Sequence, residues 1–231
     1  VKPLHIPEEK GDDISLMEVP ANITPEVTAT SAIIMKEGAE EEIWQQASGK
    51  EVPLASLTKL VAMHTFLDTN PRSLERTVTY KQEDAEKNYK YCKPWNSSEI
   101  DLEEGDELTL KDLIYSSLVG SANNTVETLV RVSDLERQEF VQKMNEKVSA
   151  WGTENTHFIE PAGLSPKNVT TARDYALIAE KVLSHPIIKK ASTMPKYSFT
   201  TQNTDRSFEF DNTDELLKDI QFSRMNNFKI T

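Results

Sequence analysis

The chain has 231 residues, enough to bury one sizeable core or a core with a small appendage. Its 38 acidic against 26 basic side chains give a net charge of -12, which argues against nucleic acid, because phosphate binding needs clustered Lys and Arg. No stretch approaches the roughly 18 apolar residues of a membrane span, no N-terminal segment has a signal-peptide profile, and a lone Cys92 excludes an internal disulfide and a Cys-based metal site.

Residues 1–22 mix Pro, charge and short apolar pieces without a steady period and read as an extended leader, with one domain over 23–231. The β-branched run Val27–Met35 predicts a strand, and Glu42–Ala47 its partner across a turn at Glu37-Gly38. Leu57, Leu60 and Val61 then fall three and four apart, with Phe66 further along, predicting a helix that starts just after Ala55-Ser56. The acidic runs Glu37–Glu42 and Asp101–Glu107 read as solvated loops. Residues 81–99, with Tyr89, Tyr91, Cys92 and Trp95, read as packing more than as a cleft border. A second helix carries Leu110, Leu113, Ile114 and Leu118 and ends at Gly120. Ser133 with Glu136 predicts a capping box for a third, with Phe140, Val141, Met144 and Val148, stopped by Gly152. Thr171 caps a fourth, with Tyr175, Ile178, Ala179 and Val182 on one face and Pro186 beyond its end. Lys196–Thr200 and Ser207–Phe210 predict a hairpin. The class is mixed α and β with the helices in the middle.

Two short patterns can carry chemistry. In Ser56-Leu57-Thr58-Lys59 the Ser and Lys are three apart, so on a helix they share a face. A serine hydroxyl is a poor nucleophile until a base takes its proton, and a neutral Lys can do so once burial or nearby positive charge has removed its own. A helix start also favours developing negative charge. The pattern arises about once by chance in such a chain, and a capping Ser beside a surface Lys is the bland alternative. In Ser121-Ala122-Asn123 a hydroxyl can relay a proton to a leaving amine while the carboxamide orients a substrate and the Lys. An ordinary Ser/Asn turn is its alternative.

Together they say more. Pro53 through Leu60 resembles the active-site segment of the low-molecular-weight penicillin-binding proteins, the serine D-alanyl-D-alanine carboxypeptidases, whose Ser-x-Asn motif follows some sixty-odd residues later; here Ser121 lies 65 after Ser56. Glu104–Leu113 resembles the family's approach to that motif. Phe158–Pro161, Gly163 and Leu164, followed by Thr170–Asp174, resemble its Gly-Leu and Thr-Ala-x-Asp segment, and Asn212-Thr213 with Leu216-Leu217 its Asn-Thr-x-x-Leu-Leu.

The resemblance implies an α+β fold of the β-lactamase/D,D-peptidase type, an antiparallel sheet beside a helical subdomain with the site between them. It implies a catalytic set of Ser56 as nucleophile, Lys59 as base and Ser121 as proton relay, with Asn123 binding the substrate amide. Peptidoglycan stem peptides ending in D-Ala-D-Ala, and β-lactams as their mimics, are the implied partners, without metal or organic cofactor and outside the cytoplasmic membrane. The family's third motif, Lys-Thr/Ser-Gly, has no counterpart, and Lys229-Ile230-Thr231 lacks the Gly that permits close backbone approach. The expectation is therefore a sheet with an exposed edge and its C-terminal strands absent, completed by a longer polypeptide or a second chain, and incomplete activity without them. A Ser-His-Asp hydrolase is rejected for want of a Gly-x-Ser-x-Gly elbow. A fast β-lactamase is rejected for want of a convincing Glu-x-x-x-Asn. A catalytically silent peptide-binding or assembly module is the remaining alternative.

Overall fold

The computed structural model describes residues 27–38, 41–70 and 73–218; the expected leader and Lys229–Thr231 lie outside them. Strands β1 (Ala32–Met35) and β2 (Glu42–Gln46) form an antiparallel ladder pairing Ala32 with Gln46 and Ile34 with Trp44. The first strand is shorter than Val27–Met35 predicted, because only its last residues find ladder partners. Strand β3 (Val52–Pro53) leads into a 3-10 turn, Ala55–Leu57, and then α1 (Thr58–Thr69).

Strand β4 (Thr77–Thr79), α2 (Gln82–Glu86), β5 (Glu107–Thr109) and α3 (Leu110–Val119) follow. Thr109 caps α3 through a reciprocal box with Asp112. Next come α4 (Asn123–Arg131) and α5 (Arg137–Ala150). The box on α5 is not the predicted one. Glu136 occupies the cap with Glu139 as its partner, while Ser133 Oγ instead donates to the Val130 carbonyl at 2.7 Å and closes the preceding turn. Strand β6 (Val169–Thr170) pairs antiparallel with β3. Thr171 caps α6 (Ala172–Ser184) by accepting from the Asp174 N–H, and Pro186 begins a further helix, α7 (Pro186–Ser192). The hairpin is β7 (Lys196–Thr200) with β8 (Ser207–Asp211).

Helix α1 is buried on several faces, which is why its apolar residues do not form one clean stripe. Val61, Met63 and Phe66 meet Leu113 and Ile114 of α3, Leu129 of α4, Phe140 and Met144 of α5 and Ile178 of α6 in one apolar cluster, all fully buried. Each such side chain contributes about 1.5–3 kcal/mol by leaving water. Asp84, fully buried, ties α2 to α4 through Arg131 at 2.9 Å and Thr128 at 3.0 Å. The second acidic run is not wholly solvated: Asp106 is buried, and Arg206 reaches it from the hairpin at 2.7 Å.

Candidate active site

The short β3–β6 pairing decides where the site forms. It brings the turn over residues 160–168 against the start of α1, and the Leu54 N–H donates to the Asn168 carbonyl at 2.9 Å. Ala55 sits at φ +48° and Ser121 at φ +55°, left-handed positions that non-glycine residues rarely adopt outside constrained sites. Both flank or belong to the predicted motifs. Gly163, at φ +85°, packs its α-carbon onto Ala55, and a Cβ there would stand 1.9 Å from the Ala55 carbonyl oxygen. Only glycine fits.

Three of the four predicted side chains converge on one atom. Ser56 Oγ accepts from Lys59 Nζ at 3.0 Å and from Ser121 Oγ at 2.9 Å. Lys59, in the first turn of α1, is 2% exposed, and its amine also donates to the Ala162 carbonyl at 2.7 Å. Burial lowers its pKa to about 8, against the opposing pull of the Glu160 carboxylate. Near neutral pH a modest fraction is then the free amine. That form can keep its N–H bond to Ala162 and turn its lone pair to the Ser56 hydroxyl.

Asn123 opens α4 and is 2% exposed, and its hydrogen bonds go to segment 97–98 rather than to Lys59. Its Nδ2 donates to Ser97 Oγ at 3.1 Å, its backbone N–H donates to the Ser98 carbonyl at 2.7 Å, and its buried Oδ1 has no hydrogen-bond partner among the described residues. Segment 97–100 therefore flanks the site, while Trp95 just before it is exposed and Tyr89 donates to Glu99 at 3.1 Å. The Thr213 N–H returns to the Val119 carbonyl at the end of α3, so the fifth matching segment also lies beside Ser121.

Sequence reasoning missed Glu160, Asn168 and Ser97. An acidic residue directly before Pro161-Ala162-Gly163 was a signal for Glu160, because a turn exposes N–H groups that a carboxylate can accept. Ser97 carried no signal. His64 packs against Trp151 and His185 and pairs with Asp68 on its own helix, away from Ser56. An open groove of about 700 Å³ runs between β1 and α6, lined by Ile33, Met35, Leu57 and Tyr175. Ser56, Lys59, Ser121 and Asn123 are not among its lining residues.

A family model described as D-alanyl-D-alanine carboxypeptidase matches residues 18–226. The chain is 27% identical over 191 residues to the D-alanyl-D-alanine carboxypeptidase DacF of Bacillus subtilis, covering 82% of this chain and 48% of that protein. It is 30% identical over 195 residues to a D-alanyl-D-alanine endopeptidase of Escherichia coli, covering 84% and 60%. The chain thus spans about half to three-fifths of the length of these curated relatives. Among solved structures, the Streptomyces K15 DD-transpeptidase superposes with a TM-score of 0.76 at 22% identity, over 84% of this chain and 77% of that one, which carries the fold.

Proposed function

We propose that this chain, which belongs to the D-alanyl-D-alanine carboxypeptidase family, performs serine acyl transfer on peptidoglycan stem peptides. The observation that carries the reading is the pair of contacts on Ser56 Oγ, from a buried amine at 3.0 Å and a second hydroxyl at 2.9 Å. Neutral Lys59 takes the Ser56 proton as Oγ attacks the penultimate D-Ala carbonyl. The proton then passes through Ser121 to the nitrogen of the departing D-Ala. Water hydrolyses the resulting ester in a second step and restores the free serine. A β-lactam opens on the same serine, but its leaving nitrogen stays tethered.

Asn123 supports substrate binding, because its buried, unpartnered Oδ1 suits an amide N–H. The Ser56 backbone N–H is the first oxyanion donor in this scheme. No Lys-Thr/Ser-Gly triplet occurs in the sequence, so the second donor and a cation for the substrate carboxylate are assigned to a completing segment or a second chain. The substrate places the reaction outside the cytoplasmic membrane, in the bacterial cell envelope. Among the described residues no helix is long and apolar enough to cross a membrane.

Intact-mass spectrometry after incubation with a penicillin tests this directly. The expected result is one covalent adduct on the wild type and none on Ser56→Ala. An unmodified wild type, on this chain and on one extended by a Lys-Thr-Gly strand, overturns the acyl-enzyme and leaves a silent peptide-binding module.

A further inference from the structure

Glu160 is fully buried, and the reaction above gives it no task. Its Oε1 accepts from the N–H groups of Gly163 at 2.8 Å and Ser165 at 3.1 Å and from Asn168 Nδ2 at 2.8 Å. Its Oε2 accepts from the N–H groups of Ala162 at 2.8 Å and Gly163 at 3.1 Å. Every contact is a donor, the pattern that suits an ionised carboxylate. With both oxygens occupied, it has no lone pair free to activate a water, so it is not a hydrolytic base. What it does is clamp the turn that includes Ala162, whose carbonyl receives the Lys59 amine at 2.7 Å. Asn168 closes the same turn from the other side, since its Nδ2 also reaches the Glu160 carbonyl at 2.9 Å and Thr58 Oγ1 in α1 at 3.2 Å.

We propose that Glu160 is a positioning residue for Lys59: it anchors the carbonyl that holds the amine and sets a buried negative charge opposite it. This rests on the reading of Lys59 as the base. Among the described residues, the groups facing Lys59 are the hydroxyl of Ser56 from its own helix start, with Ser121 behind it from the α3–α4 turn, and the Ala162 carbonyl and Glu160 from the 160–165 turn. Glu160 is the charged one. Behind Glu160 stands Glu127 of α4, ion-paired to Arg137 at 2.7 Å. Burial frees the amine of its proton and Glu160 restrains that loss. The carboxylate thereby trades some base strength at neutral pH for a fixed amine.

The experiment is the rate of β-lactam acylation against pH for the wild type, Glu160→Gln and Glu160→Asp. Glu160→Gln removes the charge, and its acid limb is expected about one pH unit or more below that of the wild type. Glu160→Asp keeps the charge; its rate falls while the limb stays in place. Both variants losing rate with an unmoved limb would overturn the proposal, because that is what a merely structural carboxylate does. If Glu160→Gln does not fold, 13C-NMR titration of the wild type decides. The Glu160 carboxyl carbon is expected to inflect at the Lys59 midpoint, and a flat trace there overturns the coupling. The titration needs no acylation, so a chain inert to penicillin sinks the base reading while the coupling is still decided.

Discussion

The helical core and the seam beside it are equally buried and chemically opposite. Phe66, Leu113, Ile114, Leu129 and Phe140 fill the first, and Lys59, Ser121, Asn123, Glu160 and Asn168 fill the second, none of these five more than 9% exposed. Burial stabilises the core outright, whereas in the seam it costs free energy that hydrogen bonds only partly return. The core supports the seam. Left-handed Ala55 and Ser121 and the close Gly163–Ala55 contact persist only where surrounding packing holds them.

Breaking the core is expected to give the larger effect. Phe140→Ala should destabilise the protein by about 3–5 kcal/mol, through lost transfer energy and the cavity left behind. Urea denaturation at pH 6 and pH 10 should return the same loss at both, since no titrating group is removed. A difference smaller than about 1 kcal/mol would mean that the α1–α5 packing is not what holds the fold.

Breaking the seam should have the opposite sign. Lys59 carries its proton below about pH 8 when folded, but up to the ordinary 10.5 when unfolded. Between those values the unfolded chain binds more protons, so stability rises with pH through that window, and below it the burial cost is present in full. Lys59→Met removes the cost and leaves the Ala162 carbonyl unpaired. The net gain should be on the order of 1–3 kcal/mol at pH 6, shrinking by pH 10.5, with acylation lost. Denaturant melts at the two pH values check it; a variant less stable than the wild type at pH 6 would show that the hydrogen bonds outweigh the burial.

The same contrast explains what the sequence made legible. Helices α3, α5 and α6 announced themselves because their apolar residues recur at helical spacing; α1 was placed by the same reading, yet Leu57 lies exposed in the 3-10 turn before it while Val61 and Phe66 are buried. Ser56, Lys59, Ser121 and Asn123 stood out because two motifs fell in order at a telling distance, and the structure joins the first three. Helix α4 was invisible as a helix: Asn123, Asn124, Thr125 and Thr128 are all buried in it, so polar side chains occupy positions where a core is normally apolar. Glu160 and Asn168 escaped for a related reason. Their work lies in turn N–H groups and contacts across more than a hundred residues, such as Asn168 to Thr58, which no local period encodes. The α5 cap was misplaced by three residues because Ser133 found a nearer acceptor in Val130.

If the buried Lys59 is the base for Ser56, the rate of adduct formation follows the protonation state of its amine. Intact-mass time courses with a penicillin should show the wild-type rate rising with pH about a midpoint near 8, where the buried amine loses its proton. Lys59→Arg, whose guanidinium keeps its charge throughout, should form no adduct at any pH. A wild-type rate that is flat from pH 6 to pH 9, or an adduct on Lys59→Arg at the wild-type rate, would contradict the account.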